Sequence, residues 1–198
     1  MKKFFSIVFL LFCILSGVVI GSSLHKPPQT KQVISAVAVE STVTTSAVFT
    51  PDLPKSIAIP AIHLSALIEQ VGLDSQQRMD VPKEAMNAGW YSLGFRPGAN
   101  GNAVLDGHLD TVTGAPAVFW NVKKLKSGDE IAIMDENNRT YTFVVTKQIA
   151  YPYNNVPLQD IFAPSTTPHL NLITCNGTWD KVNKNYSQRV VVYAELKK

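Results

Sequence analysis

Two stretches decide the fold: HLNLITC, residues 169–175, and RVVVYAEL, residues 189–196. Both are rich in β-branched and aliphatic residues and too short for an ordinary helix, and successive side chains of a strand point to opposite faces. In the second stretch Val190, Val192, Ala194 and Leu196 form one apolar face, leaving Arg189, Val191, Tyr193 and Glu195 on the other. In the first, Leu170, Leu172 and Thr174 point inward, and Cys175 shares the outer face with His169, Asn171 and Ile173. A third stretch, GNAVLDGHLDT, residues 101–111, ends its alternating run on His108, in parity with Asn102, Val104 and Asp106. A thiol, an imidazole and a guanidinium thus stand at strand ends, on the less apolar faces.

Working outward, the runs KSIAI, ALIEQVG, DEIAIMD and TYTFVVTKQI have the same strand character and are separated by turn residues. Between Met134 and Tyr141 a hairpin turns through Glu136, Asn137 and Asn138, which tolerate turn geometry. Short helices are expected at VPLQDIF, residues 156–162, and at KEAMNAG, residues 83–89. Seven or eight strands without a long amphipathic helix predict one all-β domain, a closed barrel or a sandwich.

Residues 1–21, MKKFFSIVFLLFCILSGVVIG, place two lysines before an uncharged, mainly apolar run, the pattern of an uncleaved N-terminal membrane anchor with the rest of the chain outside the cell. A cleaved signal peptide is the rival reading, since Gly21 and Ser23 are small enough for a peptidase site. Residues 22–51 are rich in Ser, Thr, Val, Ala and Pro and read as an extended stalk, leaving 52–198 for the folded domain. Residues 1–51 hold four Lys and one Glu, which accounts for the whole net charge of +3; the remaining fourteen Lys+Arg balance fourteen Asp+Glu. A formally neutral domain lacks the basic stripe that neutralises phosphates, which argues against nucleic acid as a partner.

Cysteine usage sharpens the reading. Cys13 falls in the apolar segment, so the domain has one thiol, Cys175, and no partner for an internal disulfide. A lone thiol in an exported domain is either an inert core residue or a nucleophile. Combined with His108 and Arg189 it suits acyl transfer: the thiolate attacks, the imidazole protonates the leaving amine, and the guanidinium holds the oxyanion. His108 and Asp110 could instead form an H-x-D zinc pair, but His63 and His169 show no spacing that completes a zinc site. The non-enzymatic alternative is a membrane-tethered extracellular β-barrel serving as an adhesion or scaffold module.

The stretch LITC with an arginine fourteen residues on, opening RVVVYAE, and a GH that ends an upstream strand resembles the sortase family of membrane-anchored cysteine transpeptidases. The resemblance covers about residues 54–196, including IAIPAIHLSALIEQVG. GHLDTVTGAPAVFWNVKKLKSGDEI is most similar to the class F branch. The family motif Thr-Leu-X-Thr-Cys is matched at Leu172, Thr174 and Cys175, but its first position is Asn171, a departure expected to touch substrate contacts rather than the chemical step. The resemblance implies an eight-stranded β-barrel with Cys175, His108 and Arg189 as catalytic residues. It implies cleavage of a Leu-Pro-X-Thr-Gly-like C-terminal sorting signal through a thioester on Cys175, and transfer of the acyl group to an amine such as that of a peptidoglycan precursor. The partners it implies are surface proteins bearing that signal and the amine acceptor. No cofactor is required for this chemistry, and no calcium-ligand cluster with convincing spacing stands in the sequence. The connection AYPYNNVPLQDIFAPSTTP, residues 150–168, is long for a loop and supplies apolar matter for a peptide groove. Val156, Leu158 and Ile161 there, with Thr174, are the expected substrate-binding residues. NGTWDKVNKNYSQ, residues 176–188, reads as a polar loop carrying Trp179.

Overall fold

The computed structural model describes residues 50–198. The expected anchor, residues 1–21, and nearly all of the expected stalk lie outside the described residues. Eight strands form a closed barrel. They are β1 (Pro54–Ile59), β2 (Leu64–Val71), β3 (Ala88–Tyr91), β4 (Gly101–Asp106), β5 (Glu130–Asp135), β6 (Thr140–Pro152), β7 (Pro168–Asp180) and β8 (Asn185–Leu196). A four-residue helix α1 (Leu158–Ile161) and two 3-10 turns, Pro60–Ile62 and Val122–Lys124, complete the described elements. Around the barrel the order is β1-β2-β3-β4-β7-β8-β6-β5, with β2–β3 and β4–β7 parallel and every other pair antiparallel.

The β5–β6 hairpin turns where Glu136, Asn137 and Asn138 were expected to turn it, with Asn138 in the left-handed region at φ 59°. Asp135 holds the turn: its side chain accepts from the Arg139 amide at 2.8 Å and from Tyr141 Oη at 3.1 Å.

The barrel interior contains the set predicted by alternation. Leu170, Leu172, Val190, Val192 and Ala194 are buried with Ile57, Ile59, Trp90, Leu105, Phe119, Ile131, Ile133 and Phe143. Each such aliphatic or aromatic side chain contributes about 1.5–3 kcal/mol of transfer free energy on burial. A second, smaller cluster lies outside the barrel wall, where Val104, Val191 and Ile161 meet Tyr91, Tyr151, Phe162, Ile173 and Tyr193. Strands β4, β7 and β8 are therefore apolar on both faces, which explains why Val104 and Val191 interrupt their polar parity sets.

Two local expectations fail. Residues 83–87 form bends and turns, and Ala88 and Gly89 open β3 instead of closing a helix. The Glu69 carboxylate accepts from the amides of Lys83 and Glu84 and from Asn87 Nδ2, tying this segment to β2, and Ala88 and Gly89 then pair with β2 and β4 as strand β3. Residues 176–188 are likewise no open loop: β7 runs to Asp180 and β8 starts at Asn185, with a register shift between Asn176 and Trp179. Asp180 closes the tip by accepting from the amides of Val182 and Asn183.

Candidate active site

Register gathers the three reactive residues. In the parallel pair β4–β7, Asp106 stands opposite Ile173. Pairing continues one step further, where the Gly107 amide donates to Ile173 O at 3.2 Å and Thr174 Oγ1 donates to Gly107 O at 2.9 Å. The same offset carried on sets His108 level with Cys175. Across the antiparallel pair β7–β8, Cys175 stands opposite Arg189. Three adjacent strands thus present imidazole, thiol and guanidinium in one row, His108 just past the end of β4 and Cys175 and Arg189 within β7 and β8, and all three line a single cavity of about 760 Å³.

Each member is held by its surroundings. Gly107, just before His108, has no room for a side chain, because an added Cβ would lie 2.6 Å from the Phe119 ring. Beyond it, His108 O accepts from the Phe119 amide and Leu109 O from the Ala117 amide, fastening the histidine loop to residues 115–119. The ring itself is fixed by His108 Nε2, 3.0 Å from Pro82 O. A carbonyl only accepts, so Nε2 carries the hydrogen and Nδ1 is the nitrogen left for proton exchange. Arg189 is oriented by its own hairpin: Nη1 donates to Tyr186 O and Gln188 O, and Nη2 to Asn185 Oδ1 at 2.7 Å. These bonds leave Nε–H and the second Nη2–H for an anion in the cavity.

Cys175 is half-buried and is a free cysteine. Burial pushes its thiol above the ordinary range, the Arg189 guanidinium opposes the rise, and the charges of Asp110 and Asp106 add to it. Tyr186 Oη donates to Asp110 Oδ2, so the histidine loop and the β7–β8 hairpin are tied together across the site. That bond, with burial second, pushes the Tyr186 phenol up to about 12. Trp179, half-exposed, packs edge-on against the Tyr186 ring at 5.2 Å.

The structure divides the expected substrate-binding residues. Val156 and Leu158 line the cavity with Tyr153 and Phe162, as the long connection suggested. Thr174 also borders it, but its hydroxyl is engaged by Gly107 O and its side chain is buried. Ile161 is a correction: it is fully buried in the outer cluster behind the groove wall and is absent from the cavity lining. Asn171 is another. Although on the outer face of β7, it is 2% exposed and donates from Nδ2 to Ile161 O at 2.8 Å. Asn102 on β4 donates likewise to Asp160 O. The two asparagines hold the end of α1, so the departure at Asn171 supports the groove wall from beneath instead of meeting substrate. Asp106 and Tyr186 join the site without having been singled out, and Asp110, weighed from the sequence only as half of a zinc pair, joins it through Tyr186. The two aspartates flank His108 at two residues on either side, a spacing readable in GNAVLDGHLDT. Among the described residues no group of three or more His, Cys, Asp and Glu is gathered as a metal site.

The structure thus defines a closed eight-stranded β-barrel that gathers a cysteine, a histidine and an arginine on adjacent strands. A family model described as Sortase domain matches residues 57–197, and the chain belongs to the sortase family. Comparison with curated proteins gives no match. Among solved structures it is similar to sortase A of Listeria monocytogenes, at 22% identity and a TM-score of 0.56, covering 73% of this chain and 86% of that one. It is similar to sortase C-1 of Actinomyces oris at 26% identity and 0.56, covering 73% and 71%. It is also similar to a sortase D5 transpeptidase of Clostridium perfringens at 21% identity and 0.54, covering 74% and 80%. Sortases A, C and D5 match almost equally well, so these likenesses establish the barrel and single out no branch.

Proposed function

We propose that the chain is a cell-wall cysteine transpeptidase that cleaves a Leu-Pro-X-Thr-Gly-like sorting signal and passes the acyl group to an amine. The observation that carries this reading is the row His108, Cys175, Arg189 across β4, β7 and β8, opening into one cavity. The Cys175 thiolate attacks the threonine carbonyl carbon, and the carbonyl oxygen becomes an oxyanion beside the unengaged N–H groups of Arg189. His108 protonates the departing glycine amine, the C–N bond breaks and a thioester remains. The acceptor amine then attacks the thioester, loses its proton to His108, and the Cys175 sulfur leaves as thiolate. Tyr153, Val156, Leu158 and Phe162 supply an apolar wall suited to the Leu-Pro side of the signal.

The class F assignment rests on residues 107–131 of the sequence alone, and the membrane placement on residues 1–21. In that reading the domain stands on the extracellular side, held by the anchor and stalk. The test is incubation of the purified full chain with sorting-signal peptides, with and without added amines, read by intact-protein and product mass. A thioester adduct that disappears in Cys175→Ala and an amine-dependent ligated product support the reading. An unmodified peptide across the series, with an intact fold, returns the chain to the adhesion or scaffold alternative.

A further inference from the structure

Asp106 is the charged-type side chain at the site for which the acyl-transfer steps have no use. It closes β4 two residues before His108, and borders the same cavity as His108, Cys175 and Arg189. Its cross-strand partner on β3 is Gly89, and the missing side chain there leaves the slot that its carboxyl fills, since a Cβ on Gly89 would lie 2.5 Å from Asp106 Oδ1. The same Cβ would lie 3.0 Å from the ring of Pro82, whose carbonyl holds His108. In that slot Asp106 Oδ1 is cut off from solvent and has no hydrogen-bond partner among the described residues. A carboxylate oxygen buried without a donor is costly, which favours the protonated form of the group.

From this geometry we propose that Asp106 is a neutral carboxylic acid in the working enzyme, and that its ionisation holds back Cys175 reactivity at alkaline pH. Burial pushes the Asp106 carboxyl up to about 8, a bond to its own backbone opposes the rise, and the Asp80 charge adds to it. The titratable and charged groups that line the cavity with it are Asp74, Arg78 and Asp80 from the β2–β3 connection, Tyr91 from β3, Cys175 from β7, Arg189 from β8, Tyr153 from the β6–β7 connection and His108 from its own loop, with Asp110 beside them in the histidine loop bonded to Tyr186. Asp110 and Asp106 both disfavour the thiolate, and the Arg189 guanidinium favours it. While Asp106 keeps its proton, Arg189 faces one fewer anion; when the proton leaves, a negative charge appears beside the sulfur that must itself become negative. Asp106 acts through Cys175 and is a positioning group for charge, not a participant in bond making.

The inference rests on the acyl-transfer reading for its importance, but its test does not need peptide turnover. Cys175 alkylation by iodoacetamide is measured from pH 6 to 10 in the wild-type chain and in Asp106→Asn, which keeps the shape and cannot ionise; Cys13→Ser in both removes the other thiol. Rates that coincide at pH 6–7 and separate above about pH 8, with the Asn variant several-fold faster at pH 9, support the proposal. Rates already different at pH 6–7 mean an ionised Asp106 and overturn it, as do rates that coincide throughout. If the variant folds poorly, ¹³C NMR of the Asp106 carboxyl in the wild-type chain decides: a midpoint near 8 supports the neutral acid, and one below 5 refutes it. Peptide turnover by the wild-type chain is scored separately, so its absence would refute the transpeptidase reading and leave the Asp106 result standing.

Discussion

The inner and outer faces of β4, β7 and β8 are made from alternate residues of the same strands, yet serve opposite ends. Inward, Leu105, Leu170, Leu172, Val190 and Val192 are fully enclosed by other apolar side chains. Outward, the same strands carry Val104, Asn171 and Val191 under the groove wall and, a few residues nearer the site, Asp106, Cys175 and Arg189 at an open cavity. A substitution one residue along a strand therefore moves from a residue that stabilises the barrel to one that acts in its site. Neighbouring substitutions should separate stability from activity.

The largest effect expected on the outer face is that of Cys175→Ala, which should abolish both turnover and the thioester adduct while leaving thermal unfolding near that of the wild type. A variant that still ligates peptide would remove covalent catalysis from the mechanism. Arg189→Ala should cost on the order of 10²- to 10³-fold in turnover, the usual loss for an oxyanion donor. Arg189→Lys should fall between, because a point charge on a flexible stem does not reproduce the fork that Asn185 and two carbonyls orient. Normal turnover by folded Arg189→Ala would make the arginine structural. Leu172→Ala, inside, should do the reverse: about 2–5 kcal/mol lost in chemical denaturation, with turnover per folded molecule nearly unchanged. A loss of activity beyond the unfolded fraction would show that the two faces are coupled.

Smaller effects sharpen the comparison further. Tyr186→Phe removes the hydroxyl that reaches Asp110 and should lower kcat by about tenfold with little change in KM, less than the ~10²-fold that a misplacement near 1 Å can cost. A change confined to KM would make this tie a matter of substrate binding. A pH-dependent effect on stability stands outside this ranking: burial pushes the Asp106 carboxyl from 3.8 up to about 8. A group raised in the folded state contributes fully below its unfolded value and loses that contribution as pH climbs through the folded one. Wild-type stability should therefore fall, relative to Asp106→Asn, between about pH 4 and pH 8. Melting curves at pH 4, 6 and 9 should show the two chains diverging across that window, and parallel curves would contradict the buried acid.

Much of this was legible in the sequence because alternation is a local signal. The inward sets of β7 and β8 followed directly from Leu170, Leu172, Thr174 and the valines. Where a distant segment decides the environment, parity does not suffice. Asn171 has the parity of an exposed residue and is buried, because the β6–β7 connection folds over it and α1 takes its hydrogen bond. Ile161 failed for the same reason from the other side: it is an apolar residue in the right connection, turned into the outer cluster and away from the cavity. KEAMNAG looks helical because Lys, Glu, Ala and Met favour helices, and the pairing of its last two residues with β2 and β4 overrides that preference. The hairpin tip was hidden by its asparagines and lysines, which are turn formers whether or not strands extend beyond them. The roles in acyl transfer argued for Cys175, His108 and Arg189 still await the kinetic tests.

The parallel pairing of β4 with β7 has a consequence for how the protein is made. No hairpin can bring these strands together, and the chain between them forms the β5–β6 hairpin and the covering connection. The contacts that set His108 beside Cys175 thus span about the same sequence distance as the 67 residues from Gly107 to Thr174. Such long-range contacts bear a large loop-closure entropy and are among the slower ones to form. During folding, local hairpins precede chemistry: the thiol meets its imidazole and guanidinium only when the barrel closes. A chain whose barrel is still open therefore carries its cysteine apart from the histidine that β4 delivers.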